Sequence, residues 1–172
     1  MRGFILRRDH ELMRRANSWE PPRWLRAYVM SATRAGDGWL WYAMGLAILL
    51  FGGEGRFAAL GAAGTAAALS ILLFLGVKRF AGRRRPCEIE PHCWATQLPP
   101  DHFSFPSGHT MTAFAIAMAW LLFYPTLAFA LLFCAFSIGM SRILLGMHFL
   151  SDVIAGAVLG TGLGVLAFLA FQ

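Results

Sequence analysis

The chain has 172 residues, of which 58% are apolar and 14% charged, against about 25% charged in a typical soluble domain. With a mean hydropathy of +0.57, this composition excludes a disordered tail, a coiled coil and an ordinary soluble domain. Fifteen Lys+Arg against 9 Asp+Glu leave a net charge of +6, but the long uncharged runs leave no soluble surface for nucleic acid, so the excess charge belongs to a membrane protein.

Residues 1–37 are basic. On a helical wheel Ile5, Leu6, Leu12, Met13, Ala16 and Trp19 share one arc, and Arg7, Arg8, His10, Glu11, Arg14 and Arg15 fill the rest. Asp9 intrudes on the apolar arc and Phe4 on the polar one. The pattern predicts an amphipathic helix in the membrane interface, ended by Glu20-Pro21-Pro22. Asp37, between Gly36 and Gly38, reads as a turn or helix-capping residue.

A spanning helix needs about 20 apolar residues. Residues 38–53 open on Trp39, Trp41 and Tyr42, rings suited to the membrane–water boundary. Residues 57–77 form a clean run closed by Lys78. Residues 110–140 are too long for one crossing and carry Tyr124-Pro125 near the middle. Proline breaks a helix there, so the run predicts a hairpin of 109–123 and 125–141. Residues 153–172 make the last span. The expected fold is therefore all-α: an integral-membrane bundle of about five to six helices. Residues 1–37 form its interfacial segment and residues 38–172 its main domain.

This topology brings the polar residues between the spans to one side of the membrane. They fall in three segments: Lys78-Arg79-Phe80-Ala81-Gly82-Arg83-Arg84-Arg85-Pro86; Pro106-Ser107-Gly108-His109; and Ser141-Arg142, five residues, His148, three residues, Asp152. Lys78, Arg85 and Arg142 offer cations from separate loops, as a group with several charged oxygens requires. Pro106-Ser107-Gly108 stands where a helix begins, and free amides at a helix N-terminus bind phosphate. Ser107 can add a hydroxyl donor. His148 and Asp152 are four apart, so on a helix the carboxylate can hold one imidazole nitrogen and leave the other free to attack. His109, on another helix, can protonate a leaving oxygen. Asp152 is the only acid among the motif residues, so no carboxylate cluster exists to hold Mg²⁺.

The three segments resemble the signature of the type 2 phosphatidic acid phosphatase superfamily: Lys-x6-Arg-Pro, Pro-Ser-Gly-His and Ser-Arg-x5-His-x3-Asp. All three are intact, in order and correctly spaced. The resemblance implies that His148 attacks phosphorus to form a phosphohistidine, that Asp152 orients it and that His109 is the general acid. It also implies that Lys78, Arg85, Ser107, Gly108 and Arg142 hold the phosphoryl group, with no metal or other cofactor. The implied partners are a lipid phosphate substrate and membrane lipids. Among bacterial relatives the expected substrate is undecaprenyl diphosphate, with phosphatidylglycerol phosphate or phosphatidic acid as the alternative. A non-catalytic lipid-binding protein is the alternative of another class, and it predicts a broken signature.

Arg79, Arg83 and Arg84 lie outside the signature and read as a basic run facing solvent or headgroups. Cys87 and Cys93, on the loop between the first two segments, can form a disulfide if that face is oxidising. Zinc there would have too few ligands at a usable spacing. The resemblance and the cysteine pair place the site on the outer face of a bacterial cytoplasmic membrane. The excess of Arg on that same side argues for the cytoplasm.

Overall fold

The computed structural model describes residues 2–90, 94 and 102–172, with side chains from Leu6 onward. Helix α1 spans Arg2–Asn17. Pro22, with extended backbone, then starts α2, Arg23–Arg34. A wide turn over Ala35–Trp39 follows, in which Gly38 has φ 121°, and the chain runs on into α3, Leu40–Phe51. Only glycine adopts that φ readily, and it lets two helices meet at a kink. Helix α4, Arg56–Ala81, ends at Gly82 in the left-handed conformation of a helix C-terminus. A short α5, Pro86–Ile89, precedes α6, Gly108–Phe123. One tight turn at Pro125–Leu127 leads to α7, Ala128–Leu144, and α8, Leu150–Phe171, completes the chain.

The all-α integral-membrane bundle and the hairpin at Tyr124-Pro125 agree with the sequence reading. Among the described residues three segments are long and apolar enough to cross a membrane: Arg56–Ala81, Pro125–Leu144 and Leu150–Phe171. Helix α6 is shorter, and nine of its residues are buried. It is the central post, packed against α4, α7 and α8, so it is apolar all round rather than on one stripe. One element was not expected. Residues 23–34 form an amphipathic helix of their own, with Val29 and Thr33 buried and the helix packed against α7. Arg23, Arg26 and Arg34 disguise it as part of a basic arm. The expected boundary at residues 37–38 falls inside the turn joining α2 to α3.

The seam between α6 and α8 sets the bundle's dimensions. Gly156, Gly160 and Gly164 repeat every four residues and so share one face of α8. A Cβ at Gly156 would stand 2.7 Å from the Ser107 carbonyl oxygen. At Gly160 it would collide with the Met111 carbonyl, and at Gly164 with that of Ala115. Without those side chains the two backbones touch, as helices do where small residues line an interface in lipid. Alanines 59, 62, 63 and 66 bring α4 into the same core, and the Trp120 indole donates to the Ala59 carbonyl at 3.1 Å.

Replacing Gly160 by Ala should therefore force the seam apart and cost about 1–3 kcal/mol. At Gly162 a Cβ would meet nothing within 4 Å, so that position should accept alanine without loss. Thermal unfolding of both variants in detergent checks this: a drop for Gly160→Ala alone is expected, and equal midpoints would refute the seam.

Candidate active site

Backbone hydrogen bonds tie the three signature segments together. The Ser104 amide donates to the Arg83 carbonyl at 2.7 Å, the Cys87 amide to the Gly146 carbonyl at 3.0 Å, and the Ser107 amide to the Asp152 carbonyl at 3.1 Å. Each bond joins a different pair of segments or the residues that directly flank them. The C-terminal ends of α4 and α7 and the N-terminal ends of α6 and α8 thereby converge around a cavity of about 420 Å³. Lys78, Arg85, Gly108, His109, Arg142 and His148 line its polar part; Trp41, Tyr42, Ile71, Phe74 and Ile116 form an apolar wall. The expected gathering of these groups at one end of the bundle is what the structure shows.

His148 lies in the loop before α8 and is 4% exposed. Its Nδ1 is 2.6 Å from the Ser104 carbonyl oxygen and its Nε2 is 3.1 Å from Arg85 Nη1. A carbonyl can only accept and a guanidinium can only donate, so the proton sits on Nδ1 and the Nε2 lone pair faces Arg85 and the cavity. Arg85 is fixed in turn by donating to the Met147 carbonyl at 2.8 Å. Arg142, buried at the end of α7, donates to the Thr33 hydroxyl at 2.6 Å, which ties α2 to the site. Lys78 stands with Nζ 5.6 Å from the centre of the Phe74 ring. Ser107 is fully buried, and its hydroxyl pairs with that of Thr110 at 2.8 Å. Gly108 opens α6 on the cavity.

Two side chains stand differently from the sequence reading. Asp152 has its Oδ2 4.0 Å from His148 Nδ1, within ion-pair range but beyond a hydrogen bond. It is the third residue of α8, and it accepts from the Phe149 amide at 2.9 Å and from Arg83 at 2.6 Å. Because His148 precedes the helix, the four-residue spacing brings the pair near each other without a hydrogen bond. The Ser104 carbonyl, just upstream of the second signature segment, takes the orienting role. Arg83 is also no surface cation. It bridges Asp152 and Asp9 and lies 4.1 Å from the centre of the Phe149 ring. Arg79 and Arg84 are exposed, as expected.

Asp37, read from sequence as a turn residue, accepts from His109 Nε2 at 2.8 Å. Its position between two glycines at the α2–α3 kink was the available signal. Cys87 is a free thiol that burial pushes above its ordinary pKa. Its expected partner Cys93 lies outside the described residues. Among the described residues no group of three His, Cys, Asp or Glu side chains is placed to hold a metal ion.

A helical membrane bundle with an imidazole and a cluster of cations around a cavity at one end is the class that fold and site define. The chain belongs to the PAP2 superfamily, whose family model matches residues 59–172. It is 35% identical over 99 residues to a lipid A 1-phosphatase of Rhizobium johnstonii, an alignment covering 55% of this chain and 41% of that protein. The chain thus spans less than half the length of this curated relative. Among solved structures it is similar to Aquifex aeolicus LpxE, with 30% identity, a TM-score of 0.75, and coverage of 91% of this chain and 92% of that one. It is also similar to a PAP2-type phosphatidylglycerolphosphate phosphatase from Bacillus subtilis, with 25% identity, a TM-score of 0.70, and coverage of 95% and 84%.

Burial, reinforced by the charges of Arg142 and Arg85, holds the His148 pKa well below its ordinary value of 6.5. The unfolded chain takes up this proton first as pH falls, so folding stability should decline with acidification below about pH 6.5. Unfolding midpoints measured across that range should show the slope, and His148→Gln should reduce it. An unchanged slope in the variant would contradict the assignment.

Proposed function

We propose that the chain is a metal-independent membrane lipid phosphatase that works through a phosphohistidine. The observation that carries this reading is the lone pair of His148 Nε2, turned to a cation-lined cavity while Nδ1–H is held by a backbone carbonyl. A phosphate seated among Lys78, Arg85 and Arg142, with the α6 amides at Gly108, takes over the Arg85 contact and presents phosphorus to Nε2. Nε2 forms the P–N bond as the bond from phosphorus to the lipid oxygen breaks. His109 gives that oxygen its proton. In the second step His109 takes a proton from water, the water oxygen bonds to phosphorus, and the P–N bond breaks. Inorganic phosphate leaves and the Nε2 lone pair is restored. The Ser104 carbonyl and the nearby Asp152 carboxylate stabilise the positive charge that the ring carries in between.

The apolar wall of Trp41, Tyr42, Ile71, Phe74 and Ile116 gives the lipid part of the substrate a place beside the phosphate site. For the substrate itself, the similarity to a lipid A 1-phosphatase supports a phosphorylated saccharolipid. Undecaprenyl diphosphate, expected from the family resemblance, is the second reading, and phosphatidylglycerol phosphate has the support of the similarity to the Bacillus subtilis structure.

Phosphate release from a panel of these lipids and phosphatidic acid, by the purified chain in detergent, tests both levels. His148→Ala should abolish release while the variant still folds in detergent with a cooperative unfolding transition, and wild-type activity should persist in excess EDTA. Turnover by His148→Ala, or strict dependence on Mg²⁺, would refute the mechanism, and the preferred lipid decides the substrate.

We also propose that the site faces outward from a bacterial cytoplasmic membrane. Arg83, Arg85 and Arg142 are committed to the site, so they do not count as topology signals, and the cytoplasmic argument weakens accordingly. His102, largely exposed beside the site and paired with Glu88, offers a test. In a chain otherwise free of cysteine, His102→Cys should react with a membrane-impermeant maleimide in intact spheroplasts. Reaction only after lysis would place the site inside.

A further inference from the structure

Asp9 is the one residue that breaks the apolar arc of the N-terminal helix, yet it is only 4% exposed. Its carboxylate reaches the site's scaffold in two ways. Oδ1 accepts from the Ser151 amide at 3.1 Å and Oδ2 from the Ser151 hydroxyl at 2.5 Å. Oδ2 also takes Arg83 Nη2 at 2.7 Å. Ser151 is the second residue of α8, so Asp9 satisfies an amide at that helix's N-terminus from a different helix, where a negative charge also meets the positive end of the helix dipole. Phe149, the residue before α8, supplies no side-chain oxygen for this purpose.

The second arm runs through Arg83. The same guanidinium that grips Asp9 donates through Nη1 to Asp152 Oδ1 at 2.6 Å and to the Ser151 hydroxyl at 2.7 Å. Asp152 is fully buried, and its other oxygen holds the Phe149 amide. Phe149 follows His148 directly. A continuous chain therefore runs from Asp9 through Arg83 and Asp152 to the backbone that carries the imidazole. His10 adds a ring contact to Phe149 at 5.1 Å, and Met13 is buried on the same helix. None of these α1 residues lies within the matched family region of residues 59–172.

We propose that Asp9 and Arg83 are positioning residues of the active site: the N-terminal helix, through the chain Asp9–Arg83–Asp152, sets the start of α8 and hence the reach of His148 Nε2 to phosphorus. This role rests on the phosphohistidine reading above. Neither side chain lines the cavity, so their loss should affect the chemical step more than substrate binding. A displacement of the attacking nitrogen by about 1 Å is enough to lower the rate about a hundred-fold.

The test is a double-mutant cycle on the full chain in detergent, with Asp9→Ala, Arg83→Gln and the pair, measuring kcat, KM and unfolding midpoint on the best lipid phosphate. Asp9→Ala should lower kcat about ten- to hundred-fold with KM within about two-fold. Asp9→Glu should recover part of the rate, because it restores the charge. The double variant should lose no more than Arg83→Gln alone, because both act in one chain. Should Asp9→Ala fail to fold, the isosteric Asp9→Asn carries the same expectation. Wild-type kcat in the Asp9 variants, a loss confined to KM, or losses that multiply in the double variant would each overturn the proposal. Turnover by His148→Ala, measured alongside, would instead point to failure of the phosphohistidine reading.

Discussion

The close seam of α6 against α8 is the constraint on which the rest of the molecule depends. Glycines at 156, 160 and 164 remove every side chain that would hold the two backbones apart. Because α6 begins at Gly108 and α8 at Leu150, the seam brings two helix N-termini side by side. The Ser107 amide can then reach the Asp152 carbonyl. The second and third signature segments are thus held together by main-chain contact, and the site inherits the rigidity of the bundle rather than of a loop. A catalytic constellation benefits from that arrangement, since small displacements of reacting groups are costly.

Around this seam the cations divide into two kinds. Arg83 is flanked by the carboxylates of Asp9 and Asp152 and stays outside the cavity. A half-buried guanidinium between two buried carboxylates is a cross-link, expensive to break because each carboxylate would be left unpaired in a low-dielectric setting. Lys78, Arg85 and Arg142 line the cavity instead. Arg85 rests on a carbonyl and an imidazole nitrogen, and Arg142 on a threonine hydroxyl. Fixed donors of that kind stabilise an anion without having to reorganise when it arrives. One sequence run, Arg83-Arg84-Arg85, therefore holds a cross-link, an exposed charge and a cavity-lining cation at successive positions.

Much of this was legible in the sequence. Hydropathy located the long spans, proline located the hairpin, and intact spacing of three motifs located the cavity residues. What it could not show has identifiable causes. The motif spacing says that His148 and Asp152 are four apart, but not that the helix begins between them, so the hydrogen bond that Nδ1 makes to a backbone carbonyl was not foreseen. The carbonyl of Ser104 leaves no trace in sequence, since every residue has one. Helix α2 was hidden because its arginines resemble those of the preceding arm, and its apolar face is matched to α7, which only the fold reveals.

The residues that broke local rules were the more informative ones. Asp9 sits where an apolar side chain belongs, and Asp37 sits in the glycine-flanked kink between two helices. Both violations are costly in isolation: one buries a carboxylate, the other places an acid at the mouth of a site built for an anion. Each is resolved by a partner far away in sequence, Asp9 by Arg83 and the start of α8, Asp37 by His109. Departures from local consistency tend to mark functional sites, and here they mark two residues through which the N-terminal 37 positions engage the cavity end of the bundle. The basic arm is then more than a membrane anchor. Its charged exterior suits anionic headgroups, while its single buried carboxylate carries the arm's placement into the geometry of the site.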